Sequence, residues 1–108
     1  MQAIHVFQKI ERALRMQPEA HRWRVTLRDE TVEVFRRPVL TSAVTLGALG
    51  LTDAPMPVPI LVATVHIPTP GTAVITDLAR QHEIPVPVHE ALARVLGITQ
   101  AWVDPDVA

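Results

Sequence analysis

The chain has 108 residues, of which 48% are hydrophobic and 19% charged, with a formal net charge of -1 and no cysteine. That length holds one hydrophobic core and therefore one domain, 1–108. The absence of cysteine excludes disulfide frameworks, thiolate zinc sites and cysteine nucleophiles, and the near-neutral balance argues against a general polyanion binder. Ten prolines are roughly twice the usual share of about 5%. They fall largely in pairs, as punctuation between elements rather than as a low-complexity linker.

Ile4, Phe7, Ile10 and Leu14 fall at helical spacing with Ala3 and Ala13 beside them, which predicts an amphipathic helix over 2–16 that stops before Pro18. Trp23, Val25 and Leu27 then alternate with Arg22, Arg24, Thr26 and Arg28. After an Asp29-Glu30 turn, Val32, Val34 and Arg36 continue the alternation, as in a hairpin with one wet face. The apolar run 40–51, with Val39, Thr41, Val44 and Thr45 ahead of Gly47 and Gly50, reads as a strand entering a loop. Past Pro55, Pro57 and Pro59, the run 60–65 has no polar face and reads as the central strand.

A loop over 66–71 is expected to open a helix at Thr72, its N-cap, with Val74, Ile75, Leu78 and Ala79 as the apolar stripe and an end by Glu83, ahead of Pro85. The segment 84–88, too rich in proline for a helix, reads as an edge strand or extended connector. A last helix is expected from about His89 to Leu96, closing at Gly97. The sum is an α+β fold: a small mixed sheet of four to five strands flanked by helices.

The longest uncharged stretch, 54–76, carries Pro55, Pro57, Pro59, Pro68 and Pro70, and an interior proline costs a helix about 3 kcal/mol, so no membrane span is expected there. Lys9 and Glu11 stand where a signal peptide would carry its apolar run, which makes the cytoplasm the expected location. Charge divides the chain unevenly. Residues 1–37 sum to +3 and residues 38–108 to -4. Such a basic segment suits an acidic partner or a phosphate backbone, although Glu11, Glu19, Asp29, Glu30 and Glu33 interleave with it as on an ordinary solvated face.

Chemical motifs are scarce. His5, His21, His66, His82 and His89 share no metal-ligand spacing, the four glycines are isolated, and Ser42 lacks the glycine flanks of a nucleophile elbow. No metal, no cofactor and no enzymatic activity are therefore expected. Residues 76–95 fit a helix-turn-helix at Leu78, Ala79, Ile84 and Leu92. Glu83 occupies the turn position that favours glycine, and Pro85 and Pro87 fall where the recognition helix would start. A small DNA-binding regulator is the alternative function, with Arg22, Arg24, Arg28, His89 and Arg94 as contacts.

The string from Pro59 through Ile60 to Ala63, then Ile75, Leu78 and Ala79, then Ile84 with Pro85, then Leu92, Ala93 and Arg94 resembles the cytoplasmic domain of the FlhB/YscU family, the export-switch proteins of flagellar and type III secretion systems. The resemblance spans roughly residues 32–105, and it implies an apolar strand, a helix, a Pro-containing strand and a final helix. Arg37-Pro38 followed by Ala43-Val44-Thr45-Leu46 lies where the family has its Asn-Pro-Thr-His motif and the strand after it. Family members cleave themselves there, the Asn amide attacking its own carbonyl to form a succinimide. This chain contains no Asn, and Val39 and Leu40 replace the Thr-His portion, so that route is closed to it.

The resemblance thus implies a non-enzymatic, non-cleaving protein-interaction domain whose partners are export-apparatus components. The positions matching the cleavage loop and its neighbouring surface are Arg37, Pro38, Val39, Leu40, Asp53, Pro55 and Pro57.

Overall fold

The computed structural model describes residues 3–37 and 58–103. Helix α1 (Ala3–Arg15) leads through a short 3-10 turn (Ala20–Arg22) into β1 (Trp23–Arg28), followed by β2 (Thr31–Arg36), β3 (Ile60–Thr69), β4 (Thr72–Asp77) and β5 (His82–Pro87). A second 3-10 turn (Val88–Glu90) opens α2 (Ala91–Gln100). The fold is α+β, as the sequence implies. The five strands form one sheet in the order β1-β2-β3-β4-β5, antiparallel throughout rather than mixed.

Register explains which side chains form the core. Val25 and Leu27 stand opposite Val34 and Val32, these opposite Ala63 and Val65, and Val65 opposite Ile75. Because side chains alternate faces, one side of the sheet collects them all. Both helices cover that side, α1 over β1 to β3 and α2 over β3 and β4, touching each other between. Val6, Ile10 and Leu14 of α1 and Ala91 and Val95 of α2 complete one continuous cluster. The expected stripe of α1 is rotated: Ala3, Val6, Ile10 and Leu14 are buried, Phe7 flanks them and Ile4 is exposed. The step from 3 to 6 to 10 to 14 follows the helical period more closely than one centred on Ile4 and Phe7.

The run 60–65 is central, as expected, with β2 and β4 on either side. A bulge opposite Val34 and Phe35 leaves Val62 without a register partner, so Val62 and Ala63 are both fully buried although adjacent in sequence.

Three expectations are corrected. Residues 66–69 do not form a loop; they extend β3 to Thr69, and the chain reverses at Pro70 and Gly71, where Gly71 takes φ 86°. Residues 72–83 do not form a helix. They form β4, a turn and the start of β5. Val74, Ile75, Leu78 and Ala79 match a helical stripe, but Ala73, Ile75 and Asp77 match an alternating one equally well, and it is the alternating set that is buried. The β-branched Thr72, Val74, Ile75 and Thr76 favour the strand, and neighbours on both sides supply the ladder. With that helix gone, residues 76–95 form no helix-turn-helix. Finally, α2 does not close at Gly97 but runs on to Gln100, with Thr99 packed into the core.

The edge strand expected at 84–88 is β5. The strand expected over 40–51 lies outside the described residues, as do Pro38, Val39, Leu40, Asp53, Pro55 and Pro57. No described helix is long and apolar enough to cross a membrane.

Candidate functional site

The hairpin β1-β2 and the segment leading into it carry the densest polar structure. Its turn, Asp29-Glu30, has φ of 50° and 60°, the two consecutive left-handed residues of a type I′ turn, whose twist matches that of the strands it joins. At the other end of the hairpin, Arg36 faces the helices, and a buried guanidinium requires partners. Its register neighbour Trp23 provides a ring face 4.5 Å from Cζ, and Glu19 Oε2 lies 3.3 Å from Nη2.

Glu19 reaches this place from a left-handed backbone conformation, φ 58° and ψ 36°, just before the 3-10 turn. Arg22 lies 3.9 Å from the same carboxylate oxygen and donates to the Arg37 carbonyl from Nε and Nη2, at 3.3 and 3.1 Å.

A second buried charge, Asp77, lies on the β4 side. Its Oδ1 accepts the backbone N–H groups of Ala79 (3.1 Å) and Arg80 (3.3 Å), while the Leu78 N–H donates to the Val62 carbonyl. Asp77 therefore shapes the β4-β5 turn. Two shallow hollows flank this end of the molecule and share Trp102, one of about 270 Å³ beside Asp77 and one of about 210 Å³ beside Arg36. Among the described residues, no buried side-chain polar atom lacks a hydrogen-bond partner and no three His, Asp or Glu side chains gather as a metal site would require. Arg36 and Asp77 are accounted for by packing and turn formation.

The surface beside β1 differs from these hollows. The Arg37 N–H donates to the Arg22 carbonyl at 2.7 Å, which with the two-residue turn sets the hydrogen-bonding phase of the hairpin. Arg22, Arg24, Thr26 and Arg28 direct their backbone groups to β2; Trp23, Val25 and Leu27 direct theirs away. The Trp23 N–H is taken by the Ala20 carbonyl. Those of Val25 and Leu27 point out from the edge, since among the described residues β1 pairs with β2 alone. Beside this edge runs a groove of about 200 Å³ between α1 and β1, with Leu14, Trp23 and Val25 as its apolar lining and Glu11, Arg15 and Arg24 at its rim.

Of the residues that the sequence suggests as contacts, the structure brings Arg24 and Arg28 to one face of β1, both exposed. It turns Arg22 inward, only 11% of its side chain being exposed. His89 and Arg94 are exposed but belong to the helical layer, on the other side of the sheet from Arg24 and Arg28. Arg37 is exposed at the end of β2, with both its backbone groups bonded to Arg22. Sequence reasoning does not find the Glu19–Arg36–Trp23 cluster or the β1 edge. The signal for the first is Arg36 at the inward parity after Val32 and Val34.

No protein-family model, curated protein or solved structure matches the chain.

Proposed function

We propose that the chain is a non-enzymatic protein-interaction domain that receives its partner along the β1 side. One observation carries this reading: the groove between α1 and β1 sets Glu11, Arg15 and Arg24 around a small apolar patch of Trp23 and Val25, and it lies beside a strand whose outward N–H groups have no partner strand among the described residues. Such an arrangement offers a partner charged side chains and main-chain hydrogen-bonding groups in one place. The buried charges elsewhere are committed to internal contacts.

The export-switch resemblance nominates the cytoplasmic components of a flagellar or type III export apparatus as partners. In this fold Ile75 lies on β4 and Leu78 and Ala79 lie in the turn after it, so the resemblance supports that partner class through sequence alone. The lack of Asn closes the family's route of self-cleavage to such a domain. A cytoplasmic setting belongs to the same reading, supported by a small domain without disulfides.

Size-exclusion chromatography of the chain with the purified cytoplasmic domain of an export gate tests the assignment. Co-elution is expected, and it should weaken when Trp23 is replaced by Ala. Separate elution from that domain and from every other apparatus component removes the export assignment.

A further inference from the structure

We propose that the edge of β1, open among the described residues, binds an extended peptide as a sixth strand, and that this peptide carries acidic residues at alternate positions. The inference rests on the interaction reading above and specifies its ligand and its mode. Three observations define it.

The first is the phase of the edge. Val25 and Leu27 direct an N–H and a carbonyl each away from β2, the spacing a further antiparallel or parallel strand needs for its ladder. The opposite edge of the sheet lacks this capacity. There the Val88 N–H donates to the Gly71 carbonyl, which places Ile84, Val86 and Val88 toward β4 and Glu83, Pro85 and Pro87 outward. Two of those three outward positions are prolines, which have no N–H to give.

The second is charge. Arg24 and Arg28 project from β1 on the face away from the helices, both exposed, whereas Arg15 on the groove side is already paired with Glu11 at 2.9 Å. Arg28 lies 3.9 Å from Asp29, but that carboxylate is itself 93% exposed and screened by water. An incoming strand with Glu or Asp on the outer face and apolar residues on the groove face meets Arg24 and Arg28 across the ladder, where opposite charges stabilise a pair.

The third observation counts against the simplest occupant, a second copy of β1 paired about Thr26. Antiparallel self-pairing that sets Arg24 against Arg28 puts two guanidinium groups side by side, twice over. Like charges directly opposite are destabilising, so these arginines select against self-association and for an acidic strand.

The probe is a short end-blocked peptide of alternating Glu and Val, titrated into the intact chain while amide NMR shifts and hydrogen exchange are followed. Slowed exchange at Val25 and Leu27, at least about tenfold at saturation, is expected, with affinity that falls as salt is added. The same peptide N-methylated on the backbone face that would pair should not bind, and a Lys-Val peptide should bind at least about tenfold more weakly. Arg24→Glu with Arg28→Glu should weaken the acidic peptide and strengthen the basic one, whereas Arg94→Glu, on the helical layer, should change neither. Val25→Pro should abolish binding by copying the device of β5, and its fold is checked by the exchange of Val34 and Val65.

Binding that survives N-methylation, or leaves Val25 and Leu27 exchange unchanged, overturns strand addition. Absence of binding overturns it as well. If the export-gate domain still co-elutes in that case, the interaction reading stands without this mode; if neither binds, both fall.

Discussion

β1 and β5 both lie at an edge of the sheet, yet their outward backbone groups differ. β5 faces outward with Glu83, Pro85 and Pro87, so most of its free edge cannot donate. β1 faces outward with Trp23, Val25 and Leu27, and among the described residues only the first of these N–H groups finds a partner, the Ala20 carbonyl. The anchoring differs as well. The β1-β2 hairpin is held at its open end by a buried cation, Arg36, and the β4-β5 hairpin at its turn by a buried anion, Asp77. An unpaired edge invites association, and one edge of this sheet is protected by composition while the other is protected only by charge. The asymmetry matches the proposed strand addition at β1, since the other edge is closed to the same reaction.

The largest effect on this comparison should come from Arg36→Ala. The substitution removes the contact with the Trp23 ring and the alkyl stem from a nearly closed site, while Glu19, more than half exposed, regains water easily. The expected loss is about 3 kcal/mol, most of it packing. Arg36→Met should recover a large part of it, because a hydrophobe of similar length replaces a buried ion at little cost. Urea unfolding of the two variants checks this. Equal losses for Ala and Met would mean that the charge itself holds the β1 end together.

Asp77→Ala comes next, at about 1–2 kcal/mol, since the Ala79 and Arg80 N–H groups lose their acceptor and only water at an exposed turn replaces it. Asp77→Asn keeps an amide oxygen at Oδ1 and should lose less than half as much. A thermal melt resolves the pair, because 1 kcal/mol moves the midpoint by about 4–8 °C for a domain near this size.

Opening the β5 edge is a smaller change in stability but a direct test of its protection. Pro85→Val with Pro87→Thr restores two outward N–H groups and frees the unfolded chain, at a cost of about 1 kcal/mol. Light scattering should then show more concentration-dependent association than the parent chain shows. A double variant that scatters like the parent would restrict the role of these prolines to setting backbone angles.

The legibility of these regions in the sequence also differs, for physical reasons. The β1-β2 hairpin is readable because apolar and polar residues alternate from Trp23 to Val34, a pattern that fits one period, and only Phe35 and Arg36 reverse it. The prolines at 85 and 87 likewise admit little other than an edge strand. In 72–79 the pattern Thr-Ala-Val-Ile-Thr-Asp-Leu-Ala satisfies both a helical and an alternating template, and only the ladders to β3 and β5 decide between them. Gly97 misleads in the opposite sense. It is exposed, a Cβ added there would meet nothing within 4 Å, and packing of Val95 and Thr99 carries α2 past it. The β1 edge is hardest to see in advance, since no residue marks a free N–H; it follows only from the register with Arg37 and from proline closing the other side.

The smallest predicted effect concerns the turn that sets that register. Asp29 and Glu30 both hold left-handed backbone angles, which cost an L-residue roughly 1–2 kcal/mol each relative to glycine. Asp in the first position is among the residues that tolerate this best, and glycine is preferred in the second. Glu30 is exposed, and its side chain enters no hydrogen bond or ion pair within the described residues, so replacing it removes strain without removing a contact. Glycine also loosens the unfolded chain, which offsets part of the gain. Glu30→Gly should therefore raise stability by about 0.5–1 kcal/mol, measured as a higher urea midpoint at unchanged slope. It should also slow exchange at the β2-facing amides of Thr26 and Arg28 while leaving the outward amides of Val25 and Leu27 as fast as before. If the outward amides slowed too, a tighter hairpin alone would protect them, and peptide-induced protection at those positions would lose its meaning as evidence of a sixth strand.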